Sequence, residues 1–360
     1  MKDKRMPDGK KIEYYERQNR ETIEGAPSSV PRLKLSESLP LDTPLAMHLF
    51  PVYACNMRCE FCLLAQAEAE RGYVSDVKTM SIELFRKVVD DLGAFPRKMN
   101  LMRIAGVGEP LLHRDIGGLV RYATESGHIE RVEIVTNASL LTPTISDELI
   151  GAGLSKLRVS VEGLSTKDYL AHAKVKIDFE AFVGNLAYFY EHRGTSKLYI
   201  KILDYMLKGP ADAERFIELF RPIADAIQIE HLTPVVKGLD FTRLMNAVWL
   251  SSRQTGGRSE DVKVCALPYY MLQINPDGKV FSCPSFRVPA PLGDVRSESL
   301  SGIWNGCVRS RFLLKMLDGA ASIGGVCSDC NYYKYIMQDE DVLDGCEAEL
   351  RKRYEAIGHE

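Results

Sequence analysis

Short runs rich in Val, Ile and Leu alternate, through most of the chain, with segments whose apolar residues recur every three or four positions. The first pattern is typical of buried strands and the second of amphipathic helices. The predicted strands cover residues 47–54, 100–105, 131–136, 156–161, 198–206 and 226–232. The predicted helices cover residues 80–92, 116–126, 144–151, a segment around 169, 179–192 and 211–221.

Strands that alternate with helices indicate βαβ units, because parallel neighbours need a crossover connection. Six such units predict an α/β fold, a partial (β/α)6 TIM-like barrel rather than the complete eight-unit barrel. In such folds ligands bind at the carboxyl ends of the strands. We therefore expect the functional side chains at the strand ends.

The composition narrows the choice of partners. The 360 residues are 45% hydrophobic and 26% charged, which allows a substantial core. A net charge of -3 gives no general basic field, so we expect no nucleic-acid partner and favour a small-molecule or peptide substrate. The charged start of the chain is not a signal peptide, and no apolar run approaches ~18 residues, so we expect a cytoplasmic protein without a membrane span.

The nine cysteines fall into two groups, with none between Cys62 and Cys265. Because the cytosol keeps thiols reduced, metal or cluster ligation is favoured over disulfides. Cys55, Cys59 and Cys62, spaced C-x3-C-x2-C, are one thiol short of a closed four-ligand site. Three thiolates on a four-iron cluster would leave one iron open to a small molecule. The alternative is three structural or zinc-binding thiols.

This cysteine spacing, with Phe61 before the last thiol, resembles the cluster-binding loop of the radical S-adenosylmethionine (radical SAM) enzymes. Gly108 and Glu109 resemble the family's Gly-Gly-Glu motif, although Val107 replaces one glycine. The resemblance implies a 4Fe-4S cluster on the three cysteines and S-adenosylmethionine whose amino group Glu109 holds. It also implies cleavage to a 5'-deoxyadenosyl radical, and an electron donor such as flavodoxin or ferredoxin.

Other strand ends carry further candidates. Ser160 and Glu162 resemble the family's Ser-x-Asp-Gly pattern, with Glu in place of Asp. Ser160 would then contact the ribose or carboxylate of S-adenosylmethionine, and Glu162 would do likewise or cap a loop. Asp204 lies within the fifth predicted strand, where a charge is costly unless paired or functional, and His231 ends a strand. Both are candidates for substrate binding or proton transfer.

A second cysteine group follows a change in sequence character. Turn residues at 275–278 between predicted strands 270–274 and 279–281 predict a hairpin that brings Cys265 near Cys283. Cys327 and Cys330 can complete a four-thiolate site. This arrangement resembles the SPASM and shorter twitch auxiliary-cluster domains and implies one auxiliary 4Fe-4S cluster, with structural zinc as the alternative. The remaining Cys307 and Cys346 are expected to be structural thiols, with Cys346 also a candidate hydrogen donor or ligand.

Three parts are predicted: an N-terminal arm (1–44) with a helix near 11–24, a radical SAM partial barrel (45–250), and a small β-hairpin plus helix auxiliary-cluster domain (251–360) that begins with a linker at 255–259. The leading function is that of a radical SAM oxidoreductase acting on a sugar-like or aminocyclitol metabolite, by two-electron oxidation or a related rearrangement. One alternative is a maturase that forms a thioether or crosslink in a ribosomally made peptide, or epimerises it. Another is a non-catalytic metal or iron-sulfur protein.

Overall fold

The computed structural model describes residues 34–67, 71, 73, 75–235, 239–241, 244, 254, 261–285 and 287–357. The helix predicted near 11–24 and the linker predicted at 255–259 lie outside these residues. Among the described residues, no helix has the length and apolar character needed to cross a bilayer.

One mixed sheet of nine strands organises the fold, in the order β6-β5-β4-β3-β2-β1-β7-β8-β9. Strands β1 to β6 are parallel, each paired with the next along the chain, and the sheet is not closed. The predicted α/β partial barrel is therefore confirmed. The strands are β1 Ala46–Leu49, β2 Leu101–Ile104, β3 Val132–Thr136, β4 Lys156–Val161, β5 Lys197–Leu203, β6 Ala226–Glu230, β7 Met271–Ile274, β8 Lys279–Phe281 and β9 Gly293–Asp294.

Helices connect the parallel strands and complete the C-terminal part. Ser81 caps α2 as its sequence position suggests, since its side chain accepts a hydrogen bond from the Leu84 N–H at 3.1 Å. The helices are α1 Leu35–Ser38, α2 Ile82–Asp91, α3 Ile116–Glu125, α4 Pro143–Gly151, α5 Thr166–His172, α6 Phe179–His192, α7 Pro210–Phe220, α8 Leu267–Tyr270, α9 Leu300–Asn305, α10 Cys307–Met316, α11 Ala320–Ile323, α12 Tyr332–Ile336 and α13 Glu347–Ile357.

The two faces of the parallel strands differ in polarity. In β4, Leu157, Val159 and Val161 are buried in the main hydrophobic core, which also contains residues of the surrounding helices. The alternate residues of β4 are only half-buried and include Arg158 and Ser160. Because side chains alternate across a strand, the polar set shares the other, concave face. The half-barrel thus has an apolar outer layer and a polar interior.

The predicted C-terminal hairpin forms, with its turn closed by the Gly278 N–H donating to the Asn275 carbonyl at 2.9 Å. Gly278 has a φ of +82°, which favours glycine at this turn. The hairpin does not form a separate sheet, because β7 pairs in parallel with β1 from Ala46↔Met271 to Leu49↔Ile274. The second cysteine group is therefore attached to the same sheet as the first.

Three predicted strand boundaries are wrong at positions that matter for the site. Strand β5 ends at Leu203, so Asp204 lies in a short 3-10 turn rather than within the strand. Strand β6 ends before His231. Residue 270 ends helix α8 instead of starting a strand. In this turn the Asp204 carboxylate accepts a hydrogen bond from the backbone N–H of Leu232 at 3.0 Å. Leu232 lies in the segment that follows β6, so this bond is made beyond the strand ends.

The C-terminal part packs back against the start of the described chain through Trp304. Its side chain is buried, and its indole N–H donates to the Leu41 carbonyl at 3.1 Å. The guanidinium carbon of Arg309 lies 3.3 Å from the centre of the Trp304 ring. Arg309 donates to three backbone carbonyls, and burial lowers its pKa to about 9.

We expect Trp304→Ala to lower the free energy of unfolding by about 3–5 kcal/mol, because it removes a large buried ring and the hydrogen bond to Leu41. Urea unfolding followed by far-UV circular dichroism measures the change. Val308→Ala is the matched control, since Val308 is 46% exposed on the adjacent helix, and it should change stability by less than about 0.5 kcal/mol. Equal effects of the two substitutions would contradict this account of the packing.

Candidate active site

The first three cysteines lie on the loop that leaves β1, and the fold brings their half-buried thiols together. The Cys62 N–H donates to the Cys59 carbonyl at 3.0 Å, which closes the turn between them. Arg58 donates to the carbonyls of Cys55 and Met57 at 2.9 and 2.8 Å. These bonds hold the loop in a curve around the three sulfur atoms.

Burial raises the pKa of all three thiols, to about 11 for Cys62. The pKa of Cys59 is raised further by the Glu162 carboxylate and by the other two cysteines. Because metal ligation requires the thiolate, a positive charge must offset this shift. A bound metal ion or an iron-sulfur cluster would supply that charge.

The two glycines at the end of β2 allow contact with the cluster loop. A Cβ on Gly108 would lie 2.1 Å from the Val52 carbonyl oxygen, and one on Gly106 would lie 2.4 Å from the Phe50 ring. The Glu109 N–H donates to the Ala54 carbonyl at 2.8 Å. The two glycines therefore let the end of β2 lie close to the segment just before Cys55, with Gly106 against a side chain and Gly108 against the backbone.

The Glu109 carboxylate is 1% exposed and makes three hydrogen bonds. It accepts from the Leu111 N–H at 2.9 Å, the Asn137 N–H at 2.8 Å and the Thr136 hydroxyl at 2.5 Å. Burial raises its pKa and these bonds oppose the rise. Glu109 thus joins the end of β2 to the end of β3.

Asn137 connects the end of β3 to the cysteine loop. Its side-chain amide donates to the Asn56 side chain at 3.0 Å and to the Cys55 sulfur at 3.7 Å. Its side-chain oxygen accepts from the Ser139 N–H at 2.9 Å, which is the Asx turn expected at a strand end. The contact with Cys55 depends on the fold, because it joins residues that are 82 positions apart in the sequence.

Ser160 and Glu162 occupy different environments at the end of β4. Ser160 is half-buried, opposite Lys201 of β5, and lines a cavity. Glu162 is buried, and burial, partly offset by Cys59 and Lys201, raises its pKa to about 7. Its Oε2 atom has no hydrogen-bond partner among the described residues. A buried acceptor beside the cysteine loop suits a hydroxyl or amine of a bound molecule.

Asp204 and His231, separate candidates in the sequence, form a pair. The His231 Nδ1 atom lies 3.0 Å from Asp204 Oδ2, and both side chains are buried. The other Asp204 oxygen accepts the Leu232 N–H at 3.0 Å, so the carboxylate is held from two sides. His231 lines the same cavity as Ser160 and Glu162. A carboxylate that orients an imidazole is an arrangement suited to proton transfer.

The second cysteine group also converges. Cys265, Cys283, Cys327 and Cys330 line one cavity whose other walls are mostly apolar, and Cys346 is not among its lining residues. Burial raises the pKa of all four cysteines, to about 12 for Cys283 and about 11 for Cys327. Neighbouring thiols add to the rise at Cys265, Cys283 and Cys327, and Asp329 adds to it at Cys330. The buried hydroxyl of Ser282 in this cavity has no partner among the described residues.

Both sets of donors fit iron-sulfur clusters. Thiolates are the protein ligands of such clusters, and the first set has three while the second has four. Within the described part of the chain, no three His, Cys, Asp or Glu side chains lie in positions that could hold a single metal ion.

Sequence reasoning missed the charged residues deeper in the barrel. Arg103, Arg158 and Glu230 lie on the concave face of β2, β4 and β6; Arg103 is one residue before its strand ends, Arg158 three residues before, and Glu230 is the last residue of its strand. The sequence did contain a signal for these residues, because charged side chains at alternate positions of a predicted strand, as at 156 and 158, indicate a polar face. Their partners lie on other strands and could not be assigned from the sequence.

Comparison with known proteins places the chain in a family. The profile of the radical SAM superfamily matches residues 49–221, and that of the SPASM iron-sulfur cluster-binding domain matches residues 265–331. The chain is 23% identical over 337 residues to the mycofactocin maturase MftC of Mycobacterium tuberculosis, covering 85% of this chain and 80% of that protein.

Two further similarities extend the comparison. The dTDP-4-amino-4,6-dideoxy-D-glucose ammonia-lyase of Streptomyces venezuelae is 28% identical over 183 residues, which cover 51% of this chain and 36% of the lyase. The structure of Streptococcus suis SuiB bound to S-adenosylmethionine superposes with a TM-score of 0.58 at 16% identity, over 84% of this chain and 74% of SuiB, a likeness of fold. With both family profiles matched in order along one chain, the protein belongs to the radical SAM superfamily of enzymes and carries a SPASM iron-sulfur domain.

Proposed function

We propose that this protein oxidises a hydroxyl-bearing carbon of a sugar-like or aminocyclitol metabolite to a ketone. The buried Asp204–His231 pair beside the open end of the barrel carries this proposal. Converting an alcohol to a ketone removes the carbon-bound hydrogen, the hydroxyl proton and one further electron. An imidazole oriented by a carboxylate is suited to accept the hydroxyl proton.

The cofactors would be held by the residues described above. Cys55, Cys59 and Cys62 would ligate the catalytic 4Fe-4S cluster, and the four C-terminal cysteines one auxiliary 4Fe-4S cluster. Together with S-adenosylmethionine and an external donor such as flavodoxin or ferredoxin, these groups supply a 5'-deoxyadenosyl radical for hydrogen abstraction and an acceptor for the second electron.

The chain's own residues would position S-adenosylmethionine and substrate. The unpartnered Glu162 oxygen and the Ser160 hydroxyl face the cavity side of β4, where each can bond to a bound polar group. Glu109, with Gly108, would hold the amino group of S-adenosylmethionine, and its carboxylate also fixes the loop that carries the motif. His231 would accept the hydroxyl proton, and Asp204 would stabilise the imidazolium that forms.

The similarity to the Streptomyces venezuelae lyase supports a substrate of this class, because that protein's name describes action on an amino sugar. The similarity covers half of this chain and 36% of the lyase, so it supports a shared catalytic family more than a shared reaction. The presence of four further thiols in a SPASM domain supports a net oxidation, since an auxiliary cluster can accept an electron.

Peptide maturation is the second candidate. The relative MftC is a maturase, and one solved structure with the same fold is SuiB bound to its precursor peptide SuiA. A broad groove beside the cysteine loop offers a surface for an extended chain, with charged and apolar walls that include Arg58, Glu60, Leu64, Lys174 and Leu239.

The two candidates differ in the mass change that they predict. We expect anaerobically reconstituted enzyme, given S-adenosylmethionine and dithionite, to convert a member of a polyol and aminocyclitol panel to a product lighter by two hydrogens. Mass spectrometry and carbonyl trapping detect the ketone. A mass change found only in a precursor peptide would favour the maturase and overturn the metabolite proposal.

Cysteine substitutions separate the two cluster sites. The reconstituted protein should contain about eight iron atoms per chain and release 5'-deoxyadenosine. Replacing Cys59 with Ala should remove about four iron atoms and abolish this release. Replacing Cys283 with Ala should also remove about four iron atoms but leave 5'-deoxyadenosine release, with loss of the oxidised product.

The exposed Cys307 provides the control, because Cys307→Ala should change neither the iron content nor the release. Zinc in place of the second four iron atoms would contradict the auxiliary cluster. Failure of the cluster-loaded protein to cleave S-adenosylmethionine would instead favour the non-catalytic binding function.

Loss of the imidazole should uncouple cofactor cleavage from oxidation. We expect His231→Ala to form ketone at least about 10²-fold more slowly while still releasing 5'-deoxyadenosine, and added imidazole to restore part of the rate. Asp204→Asn should show a smaller loss, because the imidazole remains but is less well oriented. His192→Gln, an exposed histidine at the end of α6, should behave as the unsubstituted enzyme. Unchanged ketone formation by His231→Ala would remove His231 from the mechanism.

A further inference from the structure

The interior of the half-barrel contains more cations than its carboxylates can neutralise. The concave face carries one carboxylate, Glu133, deep in the barrel and two, Glu230 and Glu162, near the open end. The cations on this face are Arg103, Lys156, Arg158 and Lys201. Burying a charge that has no partner is costly, so a surplus cation here calls for an explanation.

Glu133 and Glu230 are already engaged by three of these cations. Glu133 accepts from Arg103 at 3.1 Å and lies 3.6 Å from the ammonium of Lys156. Glu230 accepts from Lys201 at 2.6 Å and from the Tyr199 hydroxyl at 3.1 Å. Each pair joins neighbouring strands, so their geometry is fixed by the sheet.

Arg158 is the cation left over. Its guanidinium carbon lies 4.3 Å from the centre of the Tyr199 ring, and it donates no hydrogen bond to any residue that the structure describes. Stacking on an aromatic face orients a guanidinium while leaving its N–H groups available. A guanidinium is suited to bidentate binding of a carboxylate or phosphate.

Neighbouring groups show the positive potential around Arg158. Burial and the charges of Arg103 and Arg158 hold the pKa of His48 well below its usual range, so His48 is neutral. Burial and Arg158 also lower the pKa of Arg103, although Glu133 opposes this. Burial is the larger cause of both shifts, and the Arg158 charge adds to each of them. The same charge helps to lower the pKa of Glu133 and Glu230, so carboxylates near Arg158 are stabilised in their ionised form.

The position of Arg158 relates this potential to the reaction. Arg158 and Ser160 lie on the same face of β4, two residues apart and therefore about 6–7 Å along the strand. Ser160 lines the cavity that also contains Lys201 and His231, whereas Arg158 is not among its lining residues and lies one step further into the barrel. A group bound at Arg158 would thus lie deeper in the barrel than the reacting carbon near His231.

We propose that Arg158 binds an oxyanion of the substrate, a carboxylate or a phosphate, and so selects an acidic or phosphorylated sugar-like compound over a neutral polyol. This inference rests on the proposed function, because it specifies the substrate of the same cavity. Tyr199 orients the guanidinium, and Lys201 and Arg103 add positive potential without leaving their carboxylate partners.

The test is a binding measurement that needs no turnover. Isothermal titration calorimetry of the anaerobic, cluster-loaded protein would compare inorganic phosphate, gluconate and the neutral polyol sorbitol. We expect phosphate or gluconate to bind at least about tenfold more tightly than sorbitol, and the preferred anion distinguishes the two oxyanion sources. Arg158→Ala should remove this preference, and Arg158→Lys should retain part of it because it keeps the charge but not the planar fork.

Lys197→Ala is the matched control, since Lys197 lies on the neighbouring strand, is exposed and pairs with Asp225 instead of the barrel interior. It should leave anion binding unchanged. Iron content and 5'-deoxyadenosine release verify that each variant is intact, and Arg158→Gln replaces Arg158→Ala if the latter loses its clusters.

Equal binding of anions and sorbitol by the unsubstituted protein, or an anion preference that survives removal of the guanidinium, would overturn the proposal. Absence of a ketone product would count against the proposed oxidation but would leave this binding result intact.

Discussion

The site depends on the contact between the end of β2 and the chain leaving β1. Gly108 lets its backbone approach the Val52 carbonyl to a distance that a side chain would block, and the Glu109 N–H bonds to the Ala54 carbonyl. The Glu109 carboxylate then bonds to the end of β3. One glycine and one carboxylate thereby join three strand ends beside Cys55, so the cysteine loop is supported by the sheet rather than by its own short sequence.

This support matters because the site combines groups that are unfavourable alone. Thiols with raised pKa, a buried Glu162 with an unpartnered oxygen and a surplus Arg158 all cost free energy in an apolar surrounding. An iron-sulfur cluster, S-adenosylmethionine and the anionic substrate that we propose would each offer the complementary charge or hydrogen bond. A rigid scaffold that holds such groups in place is prepared for binding, and part of the binding free energy then comes from relieving these costs.

Local patterns predicted much of this arrangement. Periodicity predicted the six parallel strands, and the turn at 275–278 predicted the hairpin, because both depend on neighbouring residues. The C-x3-C-x2-C spacing identified the first thiol group for the same reason. The Asp204–His231 bond, the stacking of Arg158 on Tyr199 and the pairing of β7 with β1 join residues distant in sequence. A single sequence shows which of these residues carry chemistry but not which of them meet.

The pairing of β7 with β1 has a consequence for electron transfer between the two thiol groups. Strand β1 leads into the first cysteine loop, while β7 and β8 lie between Cys265 and Cys283. Adjacent strands share backbone hydrogen bonds, and the Phe50 N–H extends this ladder by donating to the Ile274 carbonyl at 2.9 Å. The two thiol groups are therefore fixed to neighbouring strands of one sheet, and no hinge between separate sheets sets their separation. An auxiliary cluster held in this way would be attached to the barrel through the same sheet, which suits the proposed oxidation, because that reaction must remove a second electron before the substrate radical finds another partner.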